Sequence, residues 1–243
     1  MSYLDCTDLK TTIHSICRIV ELEPDELSSR LQSIRVESLP DAEKVVTALG
    51  DFNTLPNPEY VCWFHATRVL DSTTFKDGLK PTSTMKKQIE VVLRDLAFEA
   101  GLCSKDDWED LPRSDSYAGR LAWKAGIKPF DDGPHGFLVR ETILHPDNLS
   151  IANYCDAPEI VREICWSIPK NIGHPLLDAY KTKTRPAIVN FRSRLQIRGP
   201  LETAANYVHA KLVDGTLSDR CTRGFDGRGT PIDGHDILNV EFL

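Results

Sequence analysis

No run of apolar residues in this chain approaches the roughly 20 needed to cross a bilayer. The opening MSYLDCTDLK has neither a basic start nor an uninterrupted apolar stretch, so a classical secretory signal is not expected either. Positive charge is also short: 29 basic against 36 acidic residues leave a net charge of −7. That excludes a protein wholly devoted to polyanion binding, which relies on an overall basic field to release counterions, while leaving room for a local basic patch. Paired cysteines are missing as well. Seven cysteines stand far apart at 6, 17, 62, 103, 155, 165 and 221, with no Cys-x-x-Cys to pinch a zinc ion. Several sit inside apolar patterns, where cysteine acts as a small hydrophobe, and an odd, scattered set suits a reducing cytoplasm. No internal repeat or low-complexity tract interrupts the chain.

What is present is enough apolar residue, 41% of 243, to bury one sizeable domain with or without a small appendage. Three apolar stripes at helical spacing fill the first fifty positions: Leu9, Ile13, Ile16 and Val20, then Leu27, Leu31 and Ile34, then Val45, Val46 and Leu49. Pro24, Pro40 and Gly50 punctuate them. Residues 1–52 therefore read as an N-terminal helical element, and the turn formers of 51–59 as a connector. The period then changes. Tyr60–Phe64 reads as a buried strand, helices follow over about 84–100 and 115–125, and Gly101 and Gly126 are placed to cap them. Further strands are expected over 136–143, 187–195 and 236–243, and helices over 158–166 and 201–213. Strands and helices mix without a strict βαβ rhythm, which predicts an α+β fold.

The chemistry gathers first at Tyr60-Val-Cys-Trp-Phe-His65-Ala66-Thr67-Arg68, followed by Phe75-Lys-Asp-Gly78-Leu79. An apolar strand is expected to deliver His65, Thr67 and Arg68 at its end. An imidazole and a hydroxyl offer directional hydrogen bonds there, and a guanidinium can grip a phosphate through two N–H groups. The plainer alternative is a satisfied histidine at a strand end beside a turn glycine.

This segment resembles the His-Gly-Ser/Thr-Arg strand and Gly-Leu turn of the ADP-ribosyltransferase superfamily, in its poly(ADP-ribose) polymerase and diphtheria-toxin-like branch. It is also similar to the tRNA 2'-phosphotransferases. The resemblance implies an ADP-ribosyltransferase-like split β-sheet core over 53–243, with NAD as co-substrate. It gives His65 to the ribose, the backbone of Ala66 to the nicotinamide amide, and Thr67, Arg68 and Gly78 to holding the dinucleotide. Ala66 stands where the family has glycine. Ile151-Ala-Asn-Tyr154-Cys155 resembles the stretch whose tyrosine stacks on nicotinamide, so Tyr154 inherits that role, and Phe137 or His135 would stand for the family's earlier tyrosine.

The family's late glutamate, which stabilises positive charge as the glycosidic bond breaks, has four candidates: Glu159, Glu163, Glu202 and Glu241. Glu241 is preferred, because Leu238, Val240 and Phe242 alternate as if towards a core and so turn Glu241 to the other face. Finally, Lys181, Lys183, Arg185, Arg192, Arg194 and Arg198 lie in an acid-free stretch. It reads either as a solvated face or as one suited to the phosphates of NAD, a nucleotide or RNA. The expected function is ADP-ribosyl transfer from NAD to a protein or nucleic-acid acceptor, needing no metal. The alternatives are an NAD-dependent RNA 2'-phosphotransferase, and a non-catalytic binder of ADP-ribose or protein with the same fold.

Overall fold

The computed structural model describes residues 2–35, 42–50, 54–112, 132–194 and 199–243. The three N-terminal stripes become α1 (Leu9–Val20), α2 (Pro24–Gln32) and α3 (Ala42–Thr47). The Asp8 carboxylate accepts the Thr11 N–H at 2.7 Å and so caps α1. Pro24 opens α2, at a position where its missing N–H costs nothing. The helix expected from about 84 is α4 (Thr82–Glu99), and Gly101, at φ +66°, follows its C-cap with the Leu102 N–H bonded back to Ala97. A short helix, α5 (Lys105–Asp110), carries a Ser104–Asp107 capping box. The helix expected over 115–125 and the cap at Gly126 lie outside the described residues.

One expectation fails clearly. The strand expected over 136–143 is only β3 (His135–Phe137), and the chain then turns into helix α6 (Arg140–Leu144). Leu138 and Val139 are both fully buried, which an alternating strand with one wet face does not allow. Val139 bridges Cys6, whose carbonyl takes the Arg140 N–H, and Thr142 Oγ1 donates to the Val139 carbonyl, closing the first turn of α6. Local β-branching thus yields to tertiary hydrogen bonding.

The remaining helices are α7 (Glu159–Ser167), α8 (Lys170–Lys183) and α9 (Pro200–Val213). The strands are β1 (Tyr3–Leu4), β2 (Tyr60–Val69), β4 (Arg185–Arg194), β5 (Gly224–Asp226) and β6 (Ile237–Phe242) together with β3. They form one six-stranded sheet in the order β5-β3-β2-β4-β6, with β1 pairing parallel to β2 and β3 antiparallel to it. The fold is α+β. Val61, Cys62, Trp63 and Phe64 are buried in succession, the signature of a strand covered on both faces.

Two compact units divide the chain: Met1–His65, Gly136–Ala152 and Asn190–Phe225 in the first, Ala66–His135, Asn153–Val189 and Asp226–Leu243 in the second. Within the first, α1, α2 and α3 all pack on α9, which is buried from Pro200 to Ala210 apart from half-covered Glu202. Glu141 lies beside this helix, accepting from Tyr207 Oη at 2.9 Å and Lys211 Nζ at 2.8 Å. Burial works against the Glu141 charge, but the ammonium and the hydroxyl outweigh it and hold the carboxyl below its ordinary value. Within the second, Leu93 and Leu96 of α4, Trp108 of α5, Val161 and Ile164 of α7 and Leu176 of α8 make one apolar cluster.

Two stability predictions follow from these contacts. At Gly78, φ is +76° and an added Cβ would fall 1.8 Å from the Ile232 carbonyl oxygen; at Gly101, φ is +66° with nothing within 4 Å. Urea titration should therefore find Gly101→Ala less stable by about 1 kcal/mol, from conformation alone, and Gly78→Ala by about 3 kcal/mol or more, from strain and collision together. Because the Glu141 carboxyl is held below its usual 4.5, its contribution is complete above that pH and lost as pH falls through the lower folded value. Glu141→Gln should remove that part of the acid-side decline in melting temperature.

Candidate functional site

β2 runs on to Val69, so His65 and Ala66 lie within the strand while Thr67 and Arg68 fall in its last three residues. Cover is only partial in this second half, where Ala66 and Val69 are buried and His65, Thr67 and Arg68 are half-covered. His65 closes the first unit's share of β2 and follows Phe64, which pairs with Phe137 of β3. Arg68, next to the last residue of this strand, is anchored through its side chain.

That anchor is dense. Arg68 Nε donates to Thr184 Oγ1 at 3.0 Å, Nη1 to the Cys155 carbonyl at 2.9 Å, and Nη2 to the carbonyls of Lys181 at 2.7 Å and Thr184 at 2.6 Å. Lys181 and Thr184 stand at the C-terminal end of α8, where carbonyls lack helical partners and the helix dipole favours a cation. Tyr180 returns the contact, its hydroxyl donating to the Arg68 carbonyl at 3.3 Å; burial pushes the phenol up to about 12, so it stays a donor at neutral pH. Four of the five guanidinium N–H groups are thus directed at neutral protein oxygens.

Through Cys155 the same guanidinium holds the turn that carries Tyr154. The Asp156 N–H donates to Asn153 Oδ1 at 2.9 Å, closing the 153–156 turn, and Asp156 pairs with Lys181 at 2.8 Å. Tyr154 is half-buried in this turn. Glu241 is close enough to act on the same place: burial raises the Cys155 thiol most, the Arg68 charge lowers it, and the Glu241 charge raises it again. Arg68 and the 154–155 turn are therefore joined inside the second unit. Glu159 and Glu163 lie on α7, and Glu202 in the first turn of α9 in the first unit.

The reason given for preferring Glu241 needs correction. Leu238 and Phe242 do not face a core; they are 45% and 41% exposed, while Glu241 is half-covered. As the last strand in the order, β6 has a neighbour on one side only. Phe242 instead lies beneath the Arg185 guanidinium, 3.5 Å from the ring centroid.

Gly78 is shaped by a neighbouring loop. Leu79 and Ile232 exchange backbone hydrogen bonds at 2.9 Å in both directions, and the space a Gly78 Cβ would need holds the 232–233 backbone. The basic stretch divides in two. Lys181, Lys183 and Arg185 pair with Asp156, Glu99 and Asp71, whereas Arg192 and Arg194 gather around Tyr60; Arg198 lies outside the described residues. Among the described residues no group of three or more His, Cys, Asp or Glu is arranged to hold a metal ion, and no helix is long and apolar enough to cross a membrane.

Thr184, Tyr180 and the carbonyls of Cys155 and Lys181 carry no sequence signal for this role, since a carbonyl is common to every residue. Arg68→Ala should destabilise the protein by about 3 kcal/mol in urea titration, from several charge-assisted bonds lost together. Arg68→Lys should restore less than half of it, because an ammonium cannot reproduce the planar fork.

No protein-family model, curated protein or solved structure matches the chain. The site's chemistry therefore rests on its own side chains.

Proposed function

We propose that the protein is an NAD-dependent ADP-ribosyltransferase with an ADP-ribosyltransferase-like core. The observation that carries the reading is the bond from Arg68 Nη1 to the Cys155 carbonyl at 2.9 Å, which ties the end of the 60–69 strand to the turn that carries Tyr154. Arg68 and Tyr154 are residues that the resemblance names, from two separate stretches of chain, and Glu241 is one of the four candidates for its late glutamate.

In the reaction, Tyr154 stacks on the electron-poor nicotinamide ring and the backbone of Ala66 holds its amide. His65, one residue earlier in the same strand, orients the ribose. The bond from the ribose anomeric carbon to the nicotinamide nitrogen breaks, its electron pair leaving with nicotinamide. Glu241 accepts a hydrogen bond from a ribose hydroxyl and offsets the positive charge that grows on the sugar. The acceptor's nucleophile then bonds to the anomeric carbon and gives up its proton. Arg68 differs from its expected part here: its donors hold the Tyr154 turn rather than a phosphate, so it is a positioning residue.

The test is NAD binding and nicotinamide release by the full chain with labelled NAD and protein or RNA acceptors. Glu241→Gln should lower turnover by about 100- to 1,000-fold, the size of a lost transition-state charge contact, with NAD affinity nearly unchanged. His65→Ala and Tyr154→Ala should weaken NAD binding itself. Folded wild-type protein that neither binds NAD nor releases nicotinamide overturns the proposal. Consumption of NAD only with a 2'-phosphorylated RNA would assign the phosphotransferase reaction instead.

A further inference from the structure

In a β-strand the N–H and C=O of one residue point to the same side, and those of the next residue to the other. The Leu243 N–H donates to the Pro186 carbonyl at 3.1 Å, so Ile237, Asn239, Glu241 and Leu243 turn their backbone groups to β4. Leu238, Val240 and Phe242 therefore turn theirs to the opposite edge, where β6 ends the strand order among the described residues. The side chains of these three residues share one face of the strand. Leu238 and Phe242 are exposed on that face, and Leu243 is exposed beside them.

An open edge is a template for another strand, and chains that stay apart guard it with lysine, proline or a bulge. From Asp236 to Leu243 there is no lysine, arginine or proline. The strand is instead complementary to itself. In an antiparallel pair of β6 strands, outward residues must lie opposite outward residues, which places the two-fold axis on a residue rather than between two. An axis through Val240 sets the two valines against each other, Leu238 against Phe242 and Asn239 against Glu241. It also lets all three outward residues exchange both backbone hydrogen bonds, with apolar side chains paired across the strands. An axis through Asn239 would set Ile237 against Glu241 and Asp236 against Phe242. One through Glu241 would set two carboxylates directly opposite, which is destabilising.

We propose that β6 pairs antiparallel with the β6 of a second copy of this chain, about a two-fold axis through Val240, so that one sheet continues across two chains. The pairing does not depend on the ADP-ribosyl-transfer reading, and its test contains no NAD.

Sedimentation equilibrium of the full chain from about 1 to about 200 µM tests it, a range suited to a strand contact smaller than a standard interface. The wild type should show a reversible monomer–dimer equilibrium that closes at two, because each copy spends its β6 edge on the other. Val240→Lys and Val240→Glu each set like charges opposite one another on the axis, and each should weaken association about tenfold. An equimolar mixture of the two variants should restore it, because a lysine then faces a glutamate. Cooperative urea unfolding checks that each variant folds. Leu238→Lys, at an exposed position, replaces any that does not, and an edge lysine there should also weaken association about tenfold. A wild type that stays monomeric at about 200 µM overturns the proposal. So does growth beyond the dimer, a mixture that associates no more tightly than either variant alone, or a Leu238→Lys chain that associates like the wild type.

Discussion

A guanidinium drawn half into a protein must have its donors met, and carbonyls at a helix end must find donors. Arg68 and the last turn of the 170–183 helix answer both needs at once. The arrangement fixes three things that are otherwise independent: how far the 60–69 strand runs, where the 170–183 helix stops, and how the 153–157 turn is held. Tyr180, on that helix, returns a hydrogen bond to the Arg68 carbonyl, so the contact is closed in both directions. The hydrogen bonds go to neutral oxygens rather than to a carboxylate, so the group keeps its charge near Cys155 and Glu241.

The first unit solves a different problem, the burial of a helix with little polar surface. From Pro200 to Ala210 almost every position is covered, and three N-terminal helices supply much of the cover. Its polar groups are met in part: Tyr207 and Lys211 by Glu141, and His209 Nε2 by the Ile34 carbonyl at 3.1 Å, while Asn206 Oδ1 and His209 Nδ1 are buried with no hydrogen-bond partner among the described residues. The N-terminal helices are thus part of that unit's core.

The periodic parts of the chain were readable because burial on one stripe or on both faces leaves a pattern in composition. The helices at 9–20, 82–99, 159–167 and 200–213 and the strands at 60–69 and 185–194 all carry such a pattern, and their mixture announces α+β. Where two neighbouring residues are both buried at a turn, as Leu138 and Val139 are, β-branching imitates a strand that does not form. The edge strand misled for the opposite reason. Its apolar residues alternate, but an edge position and a covering arginine, rather than a core, decide where Phe242 lies.

By itself the sequence determined the helical stripes, the buried central strand and the α+β character. It did so because those features depend on neighbours within a few residues. Only the tertiary structure decided what Arg68 does, since its partners are main-chain oxygens 87, 113 and 116 positions away. Main-chain oxygens look alike in every sequence, and which of them meet a given side chain is settled only when distant segments pack.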